Sequence, residues 1–101
     1  MITSKQRAYL RSLASHIDAS FQLGKEVKTD AFVKQLETAL EKRELIKITV
    51  LDTAMVDIRE TAEEIAKDTR SNLVQVIGKK VVLYRPAKHK KARHIELPSA
   101  K

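Results

Sequence analysis

The chain reads as an α/β domain of two layers with a mixed four-stranded sheet, its elements following the order α-β-α-β-α-β-β. Three observations carry that reading. Stretches of helical periodicity alternate with short β-branched runs; the last two runs are joined by Gly78-Lys79-Lys80, a hairpin connection; and 101 residues with 43% apolar content can bury one modest core. Strands separated by helices tend to pair in parallel through right-handed crossovers, whereas a hairpin pairs antiparallel, so the sheet is mixed.

Ser4 is the expected cap of a first helix running to about residue 15, on which Tyr9, Leu10, Leu13, Ala14 and Ile17 gather on one side. Arg7 and Arg11, four residues apart, border that side. A short strand at 20–23 leads into a loop at Gly24, and a second helix over 29–43 buries Phe32, Val33, Leu36 and Leu40. Residues 45–51 alternate Ile46, Ile48 and Val50 with Lys47 and Thr49, the period of a strand. A third helix over 57–70, with Asp57 as cap and Glu60 as its capping-box partner, turns Ile58, Ala62, Ile65 and Ala66 inward. Its outer face carries Glu60, Glu63 and Glu64 early and Lys67 and Arg70 late, which suits the helix dipole and makes that surface acidic. Strands at 73–77 and 81–85 complete the domain, which spans 1–86; 87–101 is a basic tail expected to be partly flexible, with Ile95 and Leu97 as its docking residues.

A formal charge of +7 and an isoelectric point near 9.8 favour polyanionic partners, with nucleic acid the first choice and an anionic membrane surface the rival. No apolar run is long enough to span a bilayer, no secretory signal opens the sequence, and without cysteine there is no disulfide, thiolate metal site or Cys nucleophile. A cytoplasmic location is the simplest expectation. His16 with Asp18 follows a helix end, where a histidine is more often a cap or dipole partner than a catalyst; His89 and His94 lack a third metal ligand. Neither a phosphate-binding P-loop, a dinucleotide fingerprint nor a nucleophile motif is present, so no enzyme, metal or cofactor is expected. The aromatics Tyr9, Phe21, Phe32 and Tyr84 are too few and too core-like in placement for a base-stacking platform, which leaves phosphates and shape as the basis of recognition.

The strongest local signal is Gly24-Lys25-Glu26-Val27-Lys28 between the first strand and the second helix. Gly24 lets the main chain approach a ligand closely, the unsatisfied N–H groups of the following helix favour anions, and Lys25 and Lys28 add charge. An ordinary strand-to-helix turn with solvated lysines explains the same residues about as well.

Residues Thr3 to Ala14, Glu44 to Ile48, Leu73 to Gly78 and Val82 to Pro86 together resemble the YhbY-type, stand-alone CRM family, the domain of chloroplast RNA splicing and ribosome maturation. The resemblance implies a fold related to the C-terminal domain of translation initiation factor three. It further implies binding of ribosomal RNA in precursors of the large subunit, as an assembly factor acting as a monomer. The RNA-binding residues it implies are Gly24, Lys25, Glu26, Val27 and Lys28 in the loop and Lys5, Arg7 and Arg11 on the first helix, with Lys79, Lys80, Lys88 and Lys90 as further contributors. The family's loop has glycines flanking two other residues; here Val27 stands at the second glycine and Glu26 lies within. Two other readings stay open: a binder of mature ribosomes resembling a translation factor, and a basic module for an acidic protein partner.

Overall fold

The computed structural model describes residues 2–24, 29–52, 56–89, 91, 93 and 95–98. Helix α1 covers Ser4–Ala14, strand β1 Phe21–Leu23, α2 Asp30–Arg43, β2 Leu45–Val50, α3 Ile58–Asp68, β3 Asn72–Ile77 and β4 Lys80–Tyr84. Each helix begins at a side chain able to satisfy its first N–H groups. The cap of α1 is Thr3 rather than Ser4: the Gln6 N–H donates to Thr3 Oγ1 (3.1 Å) and the Thr3 N–H to Gln6 Oε1 (3.0 Å). The reciprocal box needs an acceptor three residues after the cap, and Gln6 supplies one where Arg7, three after Ser4, does not. Thr29 accepts from Phe32 N–H and Asp57 from Glu60 N–H; both are one-way caps, so Asp57 caps α3 as expected but Glu60 does not complete a box with it.

The sheet order is β1-β2-β4-β3, with β1 and β2 parallel and both pairings of β4 antiparallel. The β3–β4 hairpin thus folds back so that β4, not β3, lies beside β2. Gly78, at φ +57°, occupies the first position of its two-residue turn, where a positive φ matches the turn to the strand twist. Val74 is the extra residue of a bulge, since Leu73 faces Leu83 while Gln75 already faces Val82.

The expected mixed sheet and element order are present, but the two layers become three. Along β4, Val81 and Leu83 point to one face and Val82 and Tyr84 to the other, and all four are buried. The first face packs on α2 and α3 through Leu36, Leu40, Ala62 and Ile65. The second packs on α1 through Leu10 and Ala14. A sheet whose central strands are apolar on both faces must be covered on both, so α1 forms a separate layer.

Of the tail, Ile95 and Leu97 dock on this second layer's side, packed against the Leu10 cluster. Their anchor is Glu44, the residue that ends α2 at φ +64° and is fully buried. Its carboxylate accepts from Ala87 N–H (2.8 Å) and Ile95 N–H (3.0 Å). Gln6 Nε2 donates to the Pro98 carbonyl (3.1 Å), joining the tail to the start of α1.

Candidate nucleic-acid interface

The pairing of β1, β2 and β4 decides which of the expected basic residues meet. Leu23 ends β1 opposite Val50, and Leu51 N–H donates back to the Leu23 carbonyl (2.8 Å). On the other side of β2, Val50 N–H donates to the Lys79 carbonyl (2.7 Å), and Lys80 lies opposite Thr49. Gly24 and the Gly78-Lys79-Lys80 tip therefore share one end of the sheet, on either side of the C-terminus of β2. Lys80 is exposed; Lys79 is exposed too and forms an ion pair with Asp52. Such a surface pair contributes little to folding and releases its cation cheaply to a stronger anion. Lys25, Glu26, Val27 and Lys28 lie outside the described residues.

On α1, Lys5 and Arg11 are exposed, whereas Arg7 is half-buried with its Nε enclosed and without a hydrogen-bond partner among the described residues. These cations ride on the helix that covers β2, β3 and β4, the layer opposite α2 and α3. Lys88 is not part of the same end. It follows β4 at the far end of the sheet, roughly 17 Å from the hairpin tip at about 3.4 Å per strand residue. Its N–H and that of His89 donate to the Glu41 carboxylate (2.8 and 3.1 Å), beside Glu37. Lys90 lies outside the described residues.

Glu41 is held below the ordinary carboxylate range, first by the Lys88 N–H and then by that of His89. Burial pushes the Tyr84 phenol up, and the charge of Glu44 adds to the shift. Tyr84 is thus a neutral core residue with Tyr9 the more exposed aromatic, at 39%. The outer face of α3 displays Glu60, Glu63, Glu64 and Asp68 with only Arg59 and Lys67 opposing them, so the exposed surface of this helix is acidic. Lys34, Lys42 and Arg43 of α2 line a groove beside Phe21. The sequence reading did not single these out, because an i, i+8 pair of lysines on a helix looks like any solvated face until β1 is seen to lie next to it.

Among the described residues no group of three or more His, Asp or Glu side chains is placed to hold a metal, and no helix is long and apolar enough to cross a membrane. The chain is 47% identical over 97% of its length to the whole of "Probable RNA-binding protein YqeI" of Bacillus subtilis. It is 33% identical to an "RNA-binding protein" of Haemophilus influenzae, covering 96% of this chain and 95% of that one. The solution structure of the Staphylococcus aureus protein SAV1595 superposes with a TM-score of 0.75 at 46% identity, over 97% of this chain and all of the other. The model of the CRS1 / YhbY (CRM) domain matches residues 2–85, from the cap of α1 through the end of β4. The chain belongs to the CRS1 / YhbY (CRM) domain family.

Proposed function

We propose that the chain is an RNA-binding protein that grips the phosphate backbone of structured RNA. Its ligand is ribosomal RNA in precursors of the large subunit, which it holds as a cytoplasmic monomer during assembly, without chemical turnover. The observation that carries the reading is the meeting of Gly24 with Lys79 and Lys80 at one end of the sheet, in a chain of net charge +7. A close main-chain approach flanked by exposed cations suits phosphate, and with Tyr9 exposed but Phe21 and Phe32 half-buried and Tyr84 buried, little surface is left for stacking successive bases. The names of its relatives support RNA as the partner class. Lys25 and Lys28 extend the same contact, and Lys5, Arg7 and Arg11 extend the positive surface along α1.

Crosslinking in cells followed by sequencing of the bound RNA tests this. Enrichment of large-subunit ribosomal RNA, with reads reaching into unprocessed flanks, is the expected result. Crosslinks confined to mature ribosomes refute the assembly role, and complexes that survive nuclease treatment intact refute RNA as the partner.

A further inference from the structure

Strand β1 begins only at Phe21, opposite Ile48, so the first half of β2 has no strand beside it on that edge. A cleft of about 640 Å³ opens there, bounded by the end of α1, the start of β1, β2 and the docked tail. The antiparallel ladder determines which main-chain groups face it. Glu44 accepts from Arg85 N–H and Val50 donates to the Lys79 carbonyl, so residues 44, 46, 48 and 50 turn their main-chain groups toward β4. Leu45 and Lys47 turn theirs the other way, into the cleft. The Lys47 carbonyl already accepts from Ser20 N–H (3.1 Å), while the Lys47 N–H and the Leu45 carbonyl face the opening with no strand opposite.

The lining is apolar at Leu13, Ile17 and Ile95 and carries the cations Arg43 and Lys47. Arg43 Nη1 donates to Ser20 Oγ (2.9 Å) and Lys47 Nζ to the Ile17 carbonyl (2.9 Å), bonds that use one donor of each and leave the others of both cations for a ligand. Against these two cations the lining carries one carboxylate, Asp18. A flat apolar body with donors and acceptors on its edge and an anionic group at its exit matches this arrangement, and the volume lies within the ordinary range for small-molecule sites. That chemistry is a nucleoside monophosphate unit. Arg43 also lines the Lys34–Lys42 groove beside Phe21, the first residue of the strand that leads to Gly24.

We propose that this cleft holds one unpaired nucleotide of the bound RNA, its base against Ile17 and the free edge of β2 and its phosphate at Arg43 and Lys47. This rests on the RNA-binding reading and adds to it a preference for RNA with a looped-out or single-stranded nucleotide.

The test is amide-detected NMR of the full chain, titrated in parallel with a single-stranded RNA oligonucleotide, a fully paired RNA duplex, and adenosine and uridine 5′-monophosphate. Single-stranded RNA is expected to shift the amides of Lys47, Ile17 and Ser20 together with those of Gly24, Lys79 and Lys80. The duplex is expected to move only the second group. Arg43→Ala, a change at an exposed side chain, is expected to weaken the oligonucleotide at least fivefold and to leave the duplex affinity unchanged. If every RNA moves the Gly24 group alone, the cleft proposal is overturned and the RNA-binding reading stands; if no RNA moves either group, that reading falls as well. Mononucleotides that shift the Lys47 group as tightly as the oligonucleotide does assign the cleft to a free nucleotide instead and overturn its role in RNA binding.

Discussion

Glu44 ties the end of α2 to the tail. It ends α2 by adopting a left-handed φ that costs most residues on the order of 1 kcal/mol, and its buried carboxylate holds the main chain of the tail at Ala87 and Ile95. Glu44→Ala removes two charge-assisted acceptors and leaves buried N–H groups without partners. It is expected to destabilise the fold by roughly 3 kcal/mol, read in a denaturant melt, and to speed exchange of the Ile95 amide. Unchanged stability with an undisturbed Ile95 amide would mean that the tail is held by Ile95 and Leu97 packing instead. Arg85 acts at the same scale: its guanidinium donates to the Thr69 carbonyl (2.9 Å) and the Glu37 carbonyl (3.2 Å), tying the residue after β4 to the end of α3 and the middle of α2. Glu41 adds a pH dependence. Its folded-state pKa is lowered, so the hold on Lys88 and His89 is fully present above the ordinary value of 4.5 and is lost as pH falls through the lower folded value. Amide exchange at Lys88 and His89 is therefore expected to accelerate in acid below about pH 4.5 before global unfolding; protection that persists until the whole domain melts contradicts the anchor.

Among the elements, the β3–β4 hairpin depends most visibly on one residue. Gly78 sits at φ +57° with no atom within 4 Å of where a Cβ would stand, so Gly78→Ala meets no clash and costs only the left-handed conformation, about 1 kcal/mol. Gly78→Asn, which tolerates that region better, is expected to lose less; equal losses in thermal melts would point to a direct packing role. The turn, the three helices and the alternation of β2 were all legible in the sequence, because caps, 3.6-residue periodicity and a Gly-Lys tip are local signals. The bulge at Val74 was not, since it changes the register by one residue within an otherwise regular strand. The third layer was also hidden. The apolar stripe of α1 predicts that it packs on something, but which face of the sheet it covers depends on β4 entering between β2 and β3. The docking of the tail was legible as two apolar residues, Ile95 and Leu97, but its anchor was not, because nothing in a lone Glu following a helix announces two main-chain donors more than forty residues away.

At the scale of the whole molecule, the fold separates charge. Gly24 and the lysine tip stand at one end of the sheet, the cations of α1 lie over one face, and the carboxylates of α3 lie over the other. Of the expected site residues, Lys88 emerges at the opposite end of the sheet, because strand direction rather than sequence proximity to the hairpin decides where it lies. Segregation of this kind makes a directional prediction. Lys79→Ala with Lys80→Ala is expected to weaken RNA binding severalfold, whereas Glu63→Lys with Glu64→Lys, on the opposite layer, leaves it within about twofold at moderate salt, where charges more than a Debye length away are largely screened. Loss of binding in the Glu63/Glu64 variant and not in the other would place the RNA on the wrong face for this account. The most direct test of the central claim, that the Gly24 end grips phosphate, is a salt titration of RNA affinity on the wild-type chain and on the Lys79/Lys80 double variant. Each phosphate contact contributes a slope of about −0.7 to −0.9 in log affinity against log salt. A phosphate grip at this end gives a steep wild-type dependence and a slope shallower by roughly one to two such contacts in the variant. An affinity nearly independent of salt, or a variant with the wild-type slope, would contradict it.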